Sequence, residues 1–219
     1  MLADIHSLLD LALCEPDHEA FELLMATIVA HRLRPMDLPP SWLMLTGKSG
    51  CGKTTFLMTL CGLPNLHRLG RITPKTLFSG YKDPLTGEQK NYLAKIGSTP
   101  SVLLIKDFTT ILSMPYDARV QVFSQFRELH DGVTDHETGQ TDHQAWSGRI
   151  TVLAASTPWT EEQRFQFQSM GDRFVELKVR NPDDELLSHW ITSHNNQHDL
   201  LDELGHLTRR LTNEVTLNI

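Results

Sequence analysis

A chain of 219 residues, 40% hydrophobic and 21% charged, has enough apolar surface for one full α/β core and lies far from a disordered composition. Its 20 Lys and Arg against 27 Asp and Glu give a formal charge of −7, which excludes a bulk-basic coat for nucleic acid and leaves only a local contact open. The longest largely apolar run, residues 23–30, is short of the ~20 residues of a membrane span. Asp4 and Asp10 stand where a signal peptide would be basic, and Cys14, Cys51 and Cys61 form no paired framework, so a protein of the reducing cytoplasm, away from membranes, is expected.

Two helical patterns open the chain, over residues 2–13 and 17–32, the second acidic at its start and basic at its finish as the helix dipole favours. Pro35, Pro39 and Pro40 break the chain before Trp42-Leu43-Met44-Leu45, a short buried strand. A Gly-rich turn follows, then an apolar helix from about Lys53. Residues 67–72 are a strand candidate, 79–97 an irregular loop with a short helix, and 102–105 a second buried strand. Residues 117–130 have helical spacing, 131–148 are polar, and 149–155 form a third strand. A helix near 161–169 leads to a fourth strand over 173–179, and from Pro182 the pattern is only helical. Strands alternating with helices predict a parallel sheet covered on both faces.

Gly47-Lys48-Ser49-Gly50-Cys51-Gly52-Lys53-Thr54 satisfies G-x-x-x-x-G-K-[ST] in full, with Thr55 next. Glycines let the backbone turn tightly and aim its N–H groups at a β-phosphate. Lys53 would neutralise β/γ-phosphate charge, the Thr54 hydroxyl can ligate Mg²⁺, and the following helix points its positive end at the anion. The motif sits between a buried strand and an apolar helix, where it must sit to work. No N-K-x-D element reads guanine and no Arg-rich lid follows the cradle, so ATP is favoured by elimination.

Val102-Leu103-Leu104-Ile105-Lys106-Asp107-Phe108 reads as a buried strand delivering a carboxylate beside the cradle, and the strand candidate at 67–72 lies between the two motifs. Residues 146–158 read as a strand ending in polar Ser156 and Thr157. At this point the sequence resembles the AAA+ ATPases, and Met170-Gly171-Asp172-Arg173-Phe174 resembles the arginine-finger segment of minichromosome-maintenance-type helicases. The closer similarity is to AAA+ ATPases of phages and mobile elements. Their I-K-D-F-T segment, R-E-x-x-D-G helix end and M-G-D-R-F box read here as residues 105–109, 127–132 and 170–174. The resemblance covers about residues 40–180. It implies Thr157 as the γ-phosphate sensor, Arg173 as a finger completing a neighbour's site, and a homo-oligomeric ring or filament. It also implies work in phage or plasmid DNA replication. Longer members look as if they continue past the point where this chain stops, so a truncated or minimal member is expected.

In the usual pattern Asp follows the apolar run directly and Glu comes next; here Lys106 and Asp107 hold those places. Two readings stay open. Asp107 is a Mg²⁺-shell ligand on a strand one residue longer, with Glu128 or another carboxylate polarising water. Alternatively Asp107 is the base, and Thr54, phosphates and water hold the metal.

Residues 131–148 fall where helicase-type rings carry a pore-facing hairpin, yet they hold Asp131, Asp135, Glu137 and Asp142 and no Lys or Arg. A loop gripping phosphate should be basic, so a solvated hairpin contacting protein is the expectation. His136 with His143, and His194 with His198, invite a zinc reading, but no Cys accompanies either set. Arg209 and Arg210 are candidates for a second sensor arginine, against the reading of a solvated helix face.

The sequence therefore predicts an α/β P-loop core of AAA+ type in three layers. Residues 1–40 form a helical segment, 41–181 the nucleotide-binding core and 182–219 a partial helical lid. The expected activity is Mg²⁺-dependent ATP hydrolysis. The alternative is an ATP-dependent switch or adaptor that acts on protein partners without moving on DNA.

Overall fold

The computed structural model describes residues 1–33, 35, 38–77, 92–138, 141–193 and 198–217. In chain order these hold α1 (Leu2–Ala12), α2 (His18–Leu33), β1 (Trp42–Thr46), α3 (Lys53–Thr59), β2 (Leu66–Leu69), α4 (Tyr92–Ile96), β3 (Ser101–Ile105), α5 (Thr109–Leu112) and α6 (Tyr116–Asp131). There follow β4 (Val133–Thr138), β5 (Thr141–Ser147), β6 (Ile150–Ser156), α7 (Glu161–Phe167), a 3-10 turn (Gln168–Arg173), β7 (Phe174–Lys178), α8 (Asp184–Ser193) and α9 (His198–Leu217). Part of the expected 79–97 loop, the side chains of His136 and His143, residue His194 and the His198 side chain lie outside the described residues.

Five strands form one parallel sheet in the order β2-β3-β6-β1-β7. The three inner strands are buried along their whole length, which is why they read as continuous apolar runs instead of alternating ones. The edges are less covered. β2, expected at 67–72, starts and stops earlier, and it lies outside β3. The strand that stands between β1 and β3 is β6.

Alternation along each strand sorts the core into two layers. Trp42, Met44, Leu103, Ile105, Ile150, Val152 and Ala154 face α5 and α6, where Phe108, Phe123 and Phe126 fill the layer. Trp42 anchors it, with its ring edge-on to Phe126 and Phe174 and its Nε1 donating to the Ile150 carbonyl at 2.7 Å. Leu43, Leu45, Val102, Leu104, Leu153 and Ala155 face the other way, onto α1, α2, α3 and α9. The Asp17 carboxylate caps α2 through the Ala20 amide at 3.1 Å and takes the Arg180 amide at 2.7 Å, tying the N-terminal helices to the chain leaving β7.

Within the stretch 131–148, read as polar, Val133–Thr138 and Thr141–Ser147 pair antiparallel as β4 and β5, between α6 and β6. Among the described residues, two helices follow residue 181. α8 reaches the glycine-rich turn, and α9 packs against α1, α2 and α3. No described helix is long and apolar enough to cross a membrane.

Candidate functional site

β1 ends at Thr46, and the turn to α3 is held from both sides. The Gly47 amide donates to the Ser156 carbonyl at 3.3 Å, and the Lys48 amide to Asn181 Oδ1 at 2.9 Å. Lys48 Nζ meets Asp184 of α8 at 3.3 Å. Gly50 and Gly52 have φ of 90° and 85°, the left-handed region open to glycine at little cost. Gly47 has a different reason: a Cβ there would lie 2.7 Å from Cys51 Sγ. Lys53 is buried and folds back into the turn, its amine donating to the Gly47 carbonyl at 2.8 Å, to the Lys48 carbonyl, and to Cys51 Sγ at 3.3 Å.

Beside the turn lies a cavity of about 470 Å³, lined by Ser49, Gly50, Gly52, Lys53, Thr54 and Thr55 on one side, within the ~300–1,000 Å³ range of small-molecule sites. Lys106, Asp107 and Thr109 line it from the end of β3, and Ala155, Ser156 and Thr157 from the end of β6. The parallel sheet thus brings three separate sequence segments to one carboxyl-terminal edge, the usual place for ligands in such sheets. Gly47, Lys48 and Cys51 are outside this lining: Gly47 and Lys48 fix the turn from behind and Cys51 belongs to the core.

The end of β3 resolves how Lys106 and Asp107 both reach the cavity. The Ser101 amide donates to the Arg149 carbonyl, and the register with β6 runs unbroken to Ile105 beside Ala154. Continued, it would give the Ala155 carbonyl to the Asp107 amide. The Phe108 amide takes it instead, at 2.7 Å. One residue is inserted at 106–107, a bulge of the kind that re-aims side chains at strand ends. The strand therefore stops at Ile105 and does not run one residue longer, as the metal-ligand reading supposed. The displacement of Asp107 comes from the bulge. Its Oδ1 accepts the Thr109 amide at 3.0 Å, opening α5.

Thr157 is coupled to this segment through hydroxyls. Trp159 Nε1 donates to Ser156 Oγ at 2.7 Å; Ser156 Oγ lies 3.0 Å from Thr109 Oγ1, which lies 3.1 Å from Thr157 Oγ1. With Ser156 donating to Thr109 and Thr109 to Thr157, the Thr157 hydrogen is left for a group in the cavity.

Glu128 is not brought there, and Arg173, expected to complete a neighbour's site, lies away from this chain's cavity. α6 runs back along the sheet, and its end lies beside the start of β1, with the His130 ring 5.0 Å from that of Trp42. Glu128, two residues earlier, therefore cannot polarise water beside Asp107 of its own chain. Arg173 ends the 3-10 turn just before β7, near the start of β1, a strand length of about 16 Å from the cradle. Its guanidinium meets Asp131 Oδ1 at 3.3 Å and the Met170 carbonyl at 3.1 Å. A finger role at this chain's own cradle is excluded by that distance. Arg209 donates to the Cys61 carbonyl at 2.7 Å beyond the end of α3, and Arg210 pairs with Glu214 at 2.8 Å. Arg209 borders a neighbouring cavity of about 460 Å³ that shares Thr54 and Thr55 with the cradle.

The structure adds residues that the sequence left unmarked. Leu13, after α1, lines the cavity and would meet a Cβ on Gly52 at 3.0 Å. Leu187 of α8 stands as close over Gly50, at 3.1 Å. Asn181 follows the last strand, and Thr109 follows the bulge. Only Thr109 sits inside a quoted motif; nothing in the spacing of the others distinguishes them.

The chain matches no family model and no curated protein sequence.

Proposed function

We propose that the protein binds ATP with Mg²⁺ and hydrolyses it as an AAA+ type P-loop ATPase, assembled with copies of itself and serving phage or plasmid DNA transactions such as replication. The observation that carries this reading is the joint lining of one cavity by Ser49, Gly50, Gly52, Lys53 and Thr54 of the G-x-x-x-x-G-K-T turn, Asp107 and Thr157. The donor set fits the ligand. Ser49, Gly50 and Gly52 of the turn line the cavity, the two glycines on left-handed backbone, and the Lys53 amine is held against loop carbonyls that an incoming phosphate would outcompete by charge. The Thr54 hydroxyl, joined by the Asp107 carboxylate in the metal-ligand reading, would hold Mg²⁺, which supplies charge neutralisation at the phosphate oxygens. Thr157 orients water or the terminal phosphate through its hydroxyl. Arg173 stabilises the transferring group in a neighbour's cradle.

Two roles for Asp107, metal ligand or base, both predict one result. In steady-state phosphate release, Asp107→Asn binds ATP and loses turnover, while Lys106→Asp keeps it. Normal hydrolysis by Asp107→Asn contradicts both. The second functional reading, a switch acting on protein partners, draws on the hairpin sequence, where four acids and no Lys or Arg occupy residues 131–148. Strand-displacement activity in the assembled protein separates it from the first.

A further inference from the structure

The formal charge of −7 is unevenly distributed along the chain. Residues 61–106 hold seven of the 20 Lys and Arg but only two of the 27 acids, Asp83 and Glu88. Outside 78–91, where two bases and both of those acids fall, this stretch carries Arg68, Arg71, Lys75, Lys95 and Lys106 and no carboxylate.

The fold gathers these cations at one edge of the sheet. Arg68 lies on β2, the outermost strand, and Arg71 and Lys75 follow it in the turn beyond. Lys95 lies on α4, which is fastened to the same segment twice. Tyr92 Oη donates to the Arg68 carbonyl at 3.3 Å, and the Tyr92 amide to the Thr76 carbonyl at 3.3 Å. The Lys95 charge is felt at His67 of β2, whose pKa is lowered by burial and then by Lys95. β2 and β3 end level, Leu69 beside Ile105, so the band continues to Lys106 at the rim of the cradle cavity. Arg68, Arg71, Lys75, Lys95 and Lys106 are all exposed. Among the described residues none of them pairs with a carboxylate.

Clustered like charge costs self-repulsion, which a polyanion offsets while releasing its own counterions. We propose that this edge, Arg68, Arg71, Lys75 and Lys95 with Lys106 at its end, holds the phosphate backbone of a nucleic-acid strand without reading its sequence. The contact expected of the acidic β4–β5 hairpin by its position is thereby assigned to the opposite charge on β2 and α4. The proposal does not depend on nucleotide binding at the cradle. Phosphate contacts alone do not distinguish DNA from RNA or one strand from two, and the probes do.

Fluorescence anisotropy with labelled oligothymidylate and oligouridylate of about 30 nucleotides, and with a duplex of the same length, reads binding directly. Four phosphate contacts on a single strand give a slope of about −3 in log affinity against log salt, or a loss of roughly 50-fold between ~50 and ~200 mM. Replacing Arg68, Arg71, Lys75 and Lys95 together by Gln is expected to remove the salt-dependent binding. Lys75→Gln alone should lower the slope by about 0.7. Calorimetric titration with ATP on the same variants shows whether the fold and the cradle are intact and keeps the two readings separate. Unchanged affinity and slope in the fourfold variant overturn the proposal, as does the absence of binding to every probe by the wild type at ~50 mM salt. It is equally overturned if the fourfold variant keeps its nucleic-acid affinity and loses self-assembly, since the band would then hold the acidic hairpin of a second copy.

Discussion

His31 is a buried imidazole at the far end of the sheet from the cradle, and its removal tests the electrostatics of the core quantitatively. Its Nδ1 lies 3.0 Å from Thr151 Oγ1 of β6, and the Arg149 guanidinium donates to its backbone carbonyl at 2.6 Å. Burial first, then the charge of Arg149, lower the His31 pKa from 6.5 to about 4, against an opposing pull from the Pro100 carbonyl. The folded chain therefore refuses a proton that the unfolded chain accepts below pH ~6.5, and stability rises with pH across that window. His31 costs nothing above pH ~6.5; the penalty accumulates as pH falls and levels off near pH 4. At pH ~4.5 the shift corresponds to roughly 2.5 kcal/mol, or about 1 M in urea midpoint at a slope of ~2 kcal/mol/M. His31→Gln can keep a hydrogen bond to Thr151 without titrating. Urea midpoints for both proteins between pH ~7.5 and ~4.5 should diverge on acidification, the wild type falling by about 1 M more. Parallel profiles would refute the argument, because every other titrating group is common to both chains.

Arg173→Ala and Lys53→Ala subunits should each lack ATPase activity, and mixed assemblies should recover part of it wherever an intact cradle meets an intact Arg173. No recovery in an assembly shown to be mixed removes the finger role, and a loss of less than about 10³ in turnover for Arg173→Ala would point to its pairing with Asp131 instead. Gly47→Ala forces a Cβ to within 2.7 Å of Cys51 Sγ and 3.1 Å of the Val179 carbonyl, which should lower stability by about 1–3 kcal/mol in urea melts. An unchanged midpoint would show that the turn can yield.

What the sequence disclosed depended on how tightly chemistry binds residue type to spacing. The turn from Gly47 to Thr54 is legible because its glycines, lysine and threonine serve adjacent backbone and side-chain roles. β1, β3 and β6 are legible because an inner parallel strand must be apolar on both faces. β4 and β5 carry the opposite composition, Thr, Asp, His, Glu and Gln, and their strand character comes from pairing with each other. The bulge at 106–107 exists only relative to β6, some 50 positions away in register, so the strand's own residues could not announce it. Glu128 was placed at the site by its type. α6, 16 residues long, carries the chain about 24 Å, away from the edge where β3 ends. Leu13, Asn181 and Leu187 reach the cradle from opposite ends of the chain, and ordinary apolar or amide residues bear no mark of such a meeting.

Calorimetric titration of ATP, with and without Mg²⁺, into the wild type and Lys53→Ala tests nucleotide binding at the cradle most directly. Saturable binding at one site per chain, strengthened by Mg²⁺ and lost in Lys53→Ala while the variant's melting temperature without nucleotide stays close to the wild type's, is the predicted result. Equal affinity in the two proteins, or no binding by the wild type, would contradict it.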